Sequence, residues 1–316
     1  MIQQSRELLN KVGTVRALVV GDTMLDRYWI GGVERISPEA PVPVVSVAQT
    51  KECAGGAGNV AANIASLGAS CELLSFIGED DAGRRLNEIL EQAGVGRHLH
   101  IDPKGRTTEK LRIVSRNQQL LRVDFESRPG QDLIAQSVSD FEALCPKVSV
   151  VVISDYGKGG LGHVVEMVDC ATRLGKPIII DPKGTDFTRY RGASVVTPNR
   201  HEFETVTGVS TAGDGFHDAA FNLIEAHQLG ALLVTQGAEG MTLFTATHEV
   251  FHQDARAIEV FDVSGAGDTV VAILALCLGL SLDWQQCLEL ATHGASSVVT
   301  RFGTSVVTPQ DFVGSL

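Results

Sequence analysis

The seven residues Asp262-Val-Ser-Gly-Ala-Gly-Asp268 constrain this chain more than any other stretch. They are followed by Thr269-Val-Val-Ala-Ile-Leu-Ala-Leu-Cys-Leu278, a run with no charge and no proline. A short, mostly apolar segment, Ala257 to Phe261, leads in. The pattern predicts a strand, a tight turn and a buried helix. Gly265 and Gly267 let the backbone pass close to a ligand, and the first N–H groups of the helix have no partner a turn back. With the helix dipole added, the turn becomes a hole for an anion, such as a phosphoryl group in transfer. Asp268 stands at its mouth and has two readings. It is either a charge on the first helical turn or a base that takes a proton from an attacking hydroxyl. Those seven residues do not decide between them.

The surrounding chemistry narrows the class of protein. A chain of 316 residues builds one large domain or two modest ones. The net charge of −12 argues against nucleic acid or an anionic membrane surface as partner. Any anionic ligand must then be held locally, by helix N-termini and a few placed Lys or Arg side chains. The cysteines at 53, 71, 145, 170, 277 and 287 form no C-x-x-C pair and read as buried thiols rather than zinc ligands. Met1 to Thr14 is polar, and the apolar run at about 270–280 is too short to span a bilayer, so a cytoplasmic location is expected.

Short apolar runs end in polar or glycine residues again and again. Ala17 to Val20 ends in Gly21-Asp22, Val148 to Ile153 in Ser154-Asp155-Tyr156-Gly-Lys158, and Pro177 to Ile180 in Asp181-Pro-Lys183-Gly. Ser194 to Thr197 leads into Pro198-Asn199-Arg-His-Glu202, and Ala231 to Val234 into Thr235-Gln-Gly237-Ala-Glu-Gly240. Helical stretches separate them, which predicts an α/β fold with a mostly parallel sheet covered on both faces. The strand ends Asp22, Asp155, Asp181, Asn199, Thr235 and Asp262 would then line one crevice.

Gly55-Gly56-Ala-Gly-Asn59 opens a further helix to about Leu67, closed by Gly68. Asn59 could cap that helix or reach a sugar hydroxyl. Two segments stand apart, at about 27–50 and 106–126. The first is proline-interrupted, which suits an edge strand. The second alternates as a hairpin around Ser115-Arg-Asn-Gln118. Together they read as a small β lid on one domain spanning 1–316, with Arg112, Arg116 and Arg122 as edge charges or ligand contacts.

In this arrangement the chain resembles the ribokinase-like (PfkB) carbohydrate kinases over nearly its whole length. The resemblance rests on Gly55-Gly-Ala-Gly-Asn59, on Asn199-x-x-Glu202 and on Asp262-Val-Ser-Gly-Ala-Gly-Asp268, in that order. A narrower resemblance, to D-glycero-β-D-manno-heptose 7-phosphate kinases of lipopolysaccharide synthesis, rests on four further segments. These are Gly21-Asp-x-Met-Leu-Asp26-Arg-Tyr-Trp29, Arg35 to Val45, Ser115 to Leu120 and Asp181 to Asp186. Many members of that subfamily carry a second, adenylyltransferase domain, and the resemblance covers only the kinase part.

The resemblance implies a three-layer α/β/α fold and a reaction. Asp268 is the implied base, with the N–H groups of Gly265, Ala266 and Gly267 around the moving phosphoryl group. It places Mg²⁺ near Asn199 and Glu202 through water, and the sugar on Asp26, Gly55, Gly56, Asn59 and Asp155. It lays ATP along Thr235, Gly237 and Gly240, on Gly267, and near His293 to Ser297. It allows a monovalent cation such as K⁺ at Asp262 and Ser264. A phosphorylated acceptor needs cations, for which Arg112, Arg116, Lys158 and Lys183 are the candidates. The lid edges suggest a homodimer.

Two alternatives come from other classes. Gly56-x-Gly58-x-x-Ala61 loosely fits a dinucleotide fingerprint of an oxidoreductase, yet Gln49 to Cys53 ahead of it is no clean buried strand. A non-catalytic sensor would not need an intact Asp268 and Gly265-Ala-Gly267. A different sugar kinase, acting on a pentose, a hexose or a hexose phosphate, is the nearest rival.

Overall fold

The computed structural model describes residues 2–116, 118–256 and 259–313. Its main sheet has nine strands. Strand β1 (Arg16–Gly21) lies between β4 (Ser70–Gly78) and β8 (Val150–Ser154), all parallel. Beyond β8 come β9 (Ile178–Asp181), β10 (Val195–Val196) and β11 (Ala231–Thr235), also parallel. The outer strands are β5 (Gly96–Asp102), parallel beside β4, and the antiparallel pair β12 (Met241–Thr245) and β13 (Val250–Gln253) beyond β11.

Alternation along the strands builds two cores. Val19, Val150, Val152, Ile179 and Leu233 face one side, and Leu18, Val20, Val151, Ile153, Ile180 and Leu232 the other. Both sides are dry, which is why these strands read as unbroken apolar runs. The first core is covered by α1 (Ile2–Lys11), α2 (Ala57–Ser66), α3 (Asp81–Gln92), α8 (Ala266–Gly279), α9 (Trp284–Val298) and α10 (Pro309–Val313). The second is covered by α4 (Gln131–Leu144), α5 (Val164–Arg173), α6 (Arg200–Thr207) and α7 (Phe216–His227). Helix α8 is buried from Asp268 through Cys277, as a helix apolar all round must be.

A second sheet holds β2 (Thr23–Ile36), β3 (Pro43–Gly56), β6 (Glu109–Ser115) and β7 (Gln118–Phe125), in the order β3-β2-β6-β7. The proline-bearing strand is at its edge. Sequence and structure differ at several elements. Strands β5, β12 and β13 were not expected. Gly96-Arg-His-Leu-His100 carries too little apolar character to announce a strand, and β12 and β13 hide behind the Gly237–Gly240 turn. Of the expected strand at Ala257 to Phe261, the described residues Glu259 to Phe261 are not in a strand. Ala257 and Ile258 lie outside the described residues, and the N–H groups of Phe261 and Asp262 both donate to the Val299 carbonyl at the end of α9. Five cysteines are buried thiols and Cys53 is half-buried, with no disulfide among the described residues. Among the described residues no helix is long and apolar enough to cross a membrane.

Candidate active site

The two sheets meet where β1 passes into β2. Asp22 sits in that junction, buried, and its carboxylate accepts the N–H groups of Tyr156 (3.1 Å), Lys158 (2.9 Å) and Gly160 (3.1 Å). One side chain therefore shapes the whole loop after β8. Burial pushes the Asp22 carboxyl above its ordinary range, and the three donors work against that.

Asp268 lies at the start of α8, buried, with both oxygens held. Asn59 Nδ2 donates to Oδ2 and the Tyr156 hydroxyl to Oδ1, each at 2.7 Å. Burial pushes the Asp268 carboxyl up to about 6 against these two hydrogen bonds, with Asp26 adding to the rise and Lys110 opposing it. A base poised near the working pH is efficient. A carboxylate offers about four lone-pair positions, so an acceptor hydroxyl can still join. Asn59 is not the cap of α2: Gly56 is, and Asn59, three residues on, points across to Asp268 while Asn63 donates to its Oδ1 at 3.1 Å.

The glycines around this carboxylate are there for space. A Cβ on Gly55 would stand 2.4 Å from Asp26 Oδ2, and one on Gly265 (φ +80°) 2.8 Å from Asn59 Nδ2. A Cβ on Gly267 would meet nothing within 4 Å, because it would project into the cavity. The Ala266 N–H is spent on the Val263 carbonyl (3.2 Å), so the expected donation from Ala266 to a ligand is corrected. Gly267 keeps the character of a first-turn donor.

A cavity of about 170 Å³ opens in front of Gly267, walled by Asp155, Tyr156, Asp181, Lys183, Asn199, Glu202 and Thr235 among others. Here the strand ends gather as the topology requires. Burial raises the Asp181 carboxyl well above its ordinary range, and the negative charges of Asp268 and Glu202 push it further. Such crowding suits a divalent cation. Among the described residues no three acidic, His or Cys side chains converge as a metal cage. Asn199 and Glu202 form a capping box on α6: Asn199 Oδ1 accepts the Glu202 N–H (3.0 Å) and Glu202 Oε2 accepts the Asn199 N–H (3.1 Å). Glu202 Oε1 also accepts from Lys183 at 2.9 Å.

Asp26 is buried between Arg112 Nη1 (2.6 Å) and the Thr304 hydroxyl (3.0 Å). Asp155 accepts from the Tyr190 hydroxyl at 2.8 Å, and Arg189 Nη1 lies 3.2 Å from it. The four cations singled out from sequence do not converge on one hollow. Arg112 serves Asp26, Lys158 pairs with Glu126, and Lys183 pairs with Glu202 in the central cavity. Arg116 is exposed at the hairpin turn with φ +50°, and the neighbouring Asn117 lies outside the described residues. Arg122 is an exposed edge charge paired with Asp124. Thr235 borders the cavity, and Gly237 and Gly240 turn the chain after it with positive φ. His293 lies against Phe312 and Arg256, and Ser297 bonds its own helix at Gly294. Asp262 braces the turn, accepting the N–H groups of Ser264 and Gly303 at 2.9 Å each.

Two participants escaped the sequence reading: Tyr156 and Lys110. Lys110 is half-buried, its ammonium 5.6 Å from the centre of the Tyr156 ring, and burial lowers its pKa. Two residues before Arg112 on the same strand, it shares that face of the sheet, a signal the alternation contained. The Asp268 environment predicts a pH response. A base at Asp268 must be ionised to act, so on that reading kcat should fall as pH drops through about 6. Tyr156→Phe removes a donor that favours the ionised form, so the acidic limb should move to higher pH. A limb that stays in place would assign it to another group.

These features define a fold of the ribokinase type, with a cavity at the strand ends and a buried carboxylate over a helix N-terminus. The chain belongs to the pfkB family carbohydrate kinases, whose model matches residues 16–311. It is 46% identical over 304 residues to "Bifunctional protein HldE" of Methylococcus capsulatus, a match covering 96% of this chain. The chain spans 64% of that relative's length. Its fold matches the Arabidopsis thaliana ribokinase complexed with ribose and ATP (TM-score 0.76, 20% identity, 95% of this chain and 97% of that one). It also matches Escherichia coli phosphofructokinase-2 in complex with potassium (TM-score 0.77, 18% identity, 94% of this chain and 96% of that one).

Proposed function

We propose that this chain transfers the γ-phosphoryl group of ATP to the anomeric hydroxyl of D-glycero-β-D-manno-heptose 7-phosphate, giving the 1,7-bisphosphate. The observation that carries the reaction is Asp268, held on both oxygens beside an open helix N-terminus. The HldE relative and the segments at 21–29, 35–45, 115–120 and 181–186 support the choice of acceptor.

In this reading Asp26, Asn59 and Asp155 hold sugar hydroxyls, with Gly55 and Gly56 giving the sugar room. Asp268 accepts the proton of the attacking hydroxyl, and the N–H of Gly267 with the dipole of α8 stabilises charge on the phosphoryl oxygens. Asn199 and Glu202 orient the water shell of Mg²⁺, which supplies charge neutralisation on the phosphates. The nucleotide lies along Thr235, Gly237 and Gly240; His293 and Ser297 would border its far end. The potassium complex of a structural neighbour is consistent with a monovalent cation near Asp262 and Ser264. The second sheet serves as a lid, and its exposed Trp29, Val47 and Leu121 suit a homodimer contact.

Release of ADP from ATP with heptose 7-phosphate tests the reading; a panel in which only other sugars are used would replace it with another sugar-kinase activity. The metal role is tested separately. Glu202→Gln should raise the Mg²⁺ concentration for half-maximal rate by roughly tenfold or more, because the amide keeps the cap but loses the charge. Unchanged Mg²⁺ dependence with a raised sugar KM would move Glu202 to the acceptor site.

A further inference from the structure

A second hollow, of about 300 Å³, lies on the other side of Asp155 from the ATP crevice. Its wall includes Arg128, Arg189, Gln131, Asp155, Gly157 and Gly159. We infer that this hollow is the seat of the acceptor's phosphate, held by Arg128 and Arg189. The inference rests on the proposal that the acceptor is a sugar phosphate.

Charge selects the place. The crevice carries Asp155, Asp181 and Glu202, with the charge of buried Asp268 acting on Asp181, on a chain of net charge −12, so a dianionic acceptor needs a local cationic site. Arg112, Lys158 and Lys183 are each matched to a carboxylate already. In the second hollow the balance is reversed. Among the described residues one carboxylate lies on its wall, Asp155, and it is matched by Arg189, 3.2 Å away. Arg128 has no carboxylate partner among the described residues and brings an unmatched positive charge.

Both guanidiniums are placed by the fold. Arg189 is fixed by the Leu161 carbonyl, which accepts from Nη2 at 2.7 Å, and it lies over the Tyr190 ring. The stem of Arg128 lies across Gly159, where a Cβ would stand 3.1 Å from Arg128 Cγ and the backbone has φ +98°. Glycine there makes room for the arginine. Planar guanidiniums suit phosphate better than ammoniums do, because they donate two parallel hydrogen bonds. Asp155 borders both cavities, so a sugar over it can present its first carbon to Asp268 and its phosphorylated end to the arginines. No motif announced this pair: Arg128 follows an exposed strand and Arg189 lies in a 3₁₀ turn.

The test is steady-state kinetics of wild type, Arg128→Ala and Arg128→Lys with saturating MgATP. Heptose 7-phosphate, free heptose and fructose 6-phosphate serve as acceptors. Loss of a charge-assisted bond should raise the KM for heptose 7-phosphate roughly ten- to hundredfold. The change should fall on KM rather than kcat, be confined to phosphorylated acceptors, and be partly restored by lysine. If wild type prefers the phosphorylated heptose and Arg128→Ala keeps that preference, the hollow is not the phosphate seat and the substrate reading stands. An equal loss with free heptose would make Arg128 structural and overturn the inference. If wild type ignores heptose 7-phosphate, the substrate reading fails, and fructose 6-phosphate decides the hollow: an Arg128-dependent KM supports it and an independent one overturns it. Acceptance of no sugar phosphate at all overturns both.

Discussion

Replacing Asp268 by Asn is expected to lower kcat about 10²–10⁴-fold while leaving ATP binding within a few-fold of wild type. The amide has nearly the shape of the carboxylate. Its oxygen can still accept from either Asn59 or Tyr156, which stand 2.7 Å from the native oxygens. What it cannot do is take a proton. The Gly267 N–H and the α8 dipole remain, so ATP keeps its phosphate contacts. The measurement pairs a coupled ADP assay with calorimetric titration of an ATP analogue. A variant retaining more than about a tenth of the wild-type kcat would remove Asp268 from the role of base.

The second large effect concerns the acceptor. If its phosphate is recognised by two charge-assisted bonds of roughly 1.5–3 kcal/mol each, kcat/KM should favour heptose 7-phosphate over free heptose by at least about a hundredfold. The acidic crevice repels a dianion, so these bonds also have to offset that repulsion. Ribose and fructose 6-phosphate complete the comparison. Equal use of an unphosphorylated sugar would put the chain with the general sugar kinases of its family.

Much of this site was legible in the sequence, and the reason is local. The turn at Gly265–Gly267 and the buried helix after it are written in seven residues and a run without charge. The strand ends were legible because each apolar run stops at a polar residue, and parallel topology brings those stops together. What could not be read was distance across the chain. Asn59 and Asp268 are 209 positions apart and meet at 2.7 Å, while sequence alone left Asn59 as a cap or a contact to a sugar hydroxyl. The proposed cation pocket missed for the same reason. Lys158 and Lys183 follow strand-end aspartates as expected, but carboxylates from other elements, Glu126 and Glu202, reach them first. Tyr156 was visible beside Asp155, but nothing local said that its hydroxyl would reach Asp268. Edge strands β5 and β13 were hidden because a sheet edge tolerates polar residues that a central strand does not, whereas β12 is buried and was masked by the glycine turn just before it.

The identity of the phosphorylated oxygen tests the central claim most directly. Heptose 7-phosphate, ATP and Mg²⁺ are incubated with the enzyme, and ³¹P NMR follows the phosphorus attached to sugar. The account predicts a second sugar phosphorus, coupled to the anomeric proton, growing in step with ADP while the 7-phosphate signal persists, and no such signal with Asp268→Asn. Transfer to any other hydroxyl, or ADP formed without a second sugar phosphorus, would contradict it.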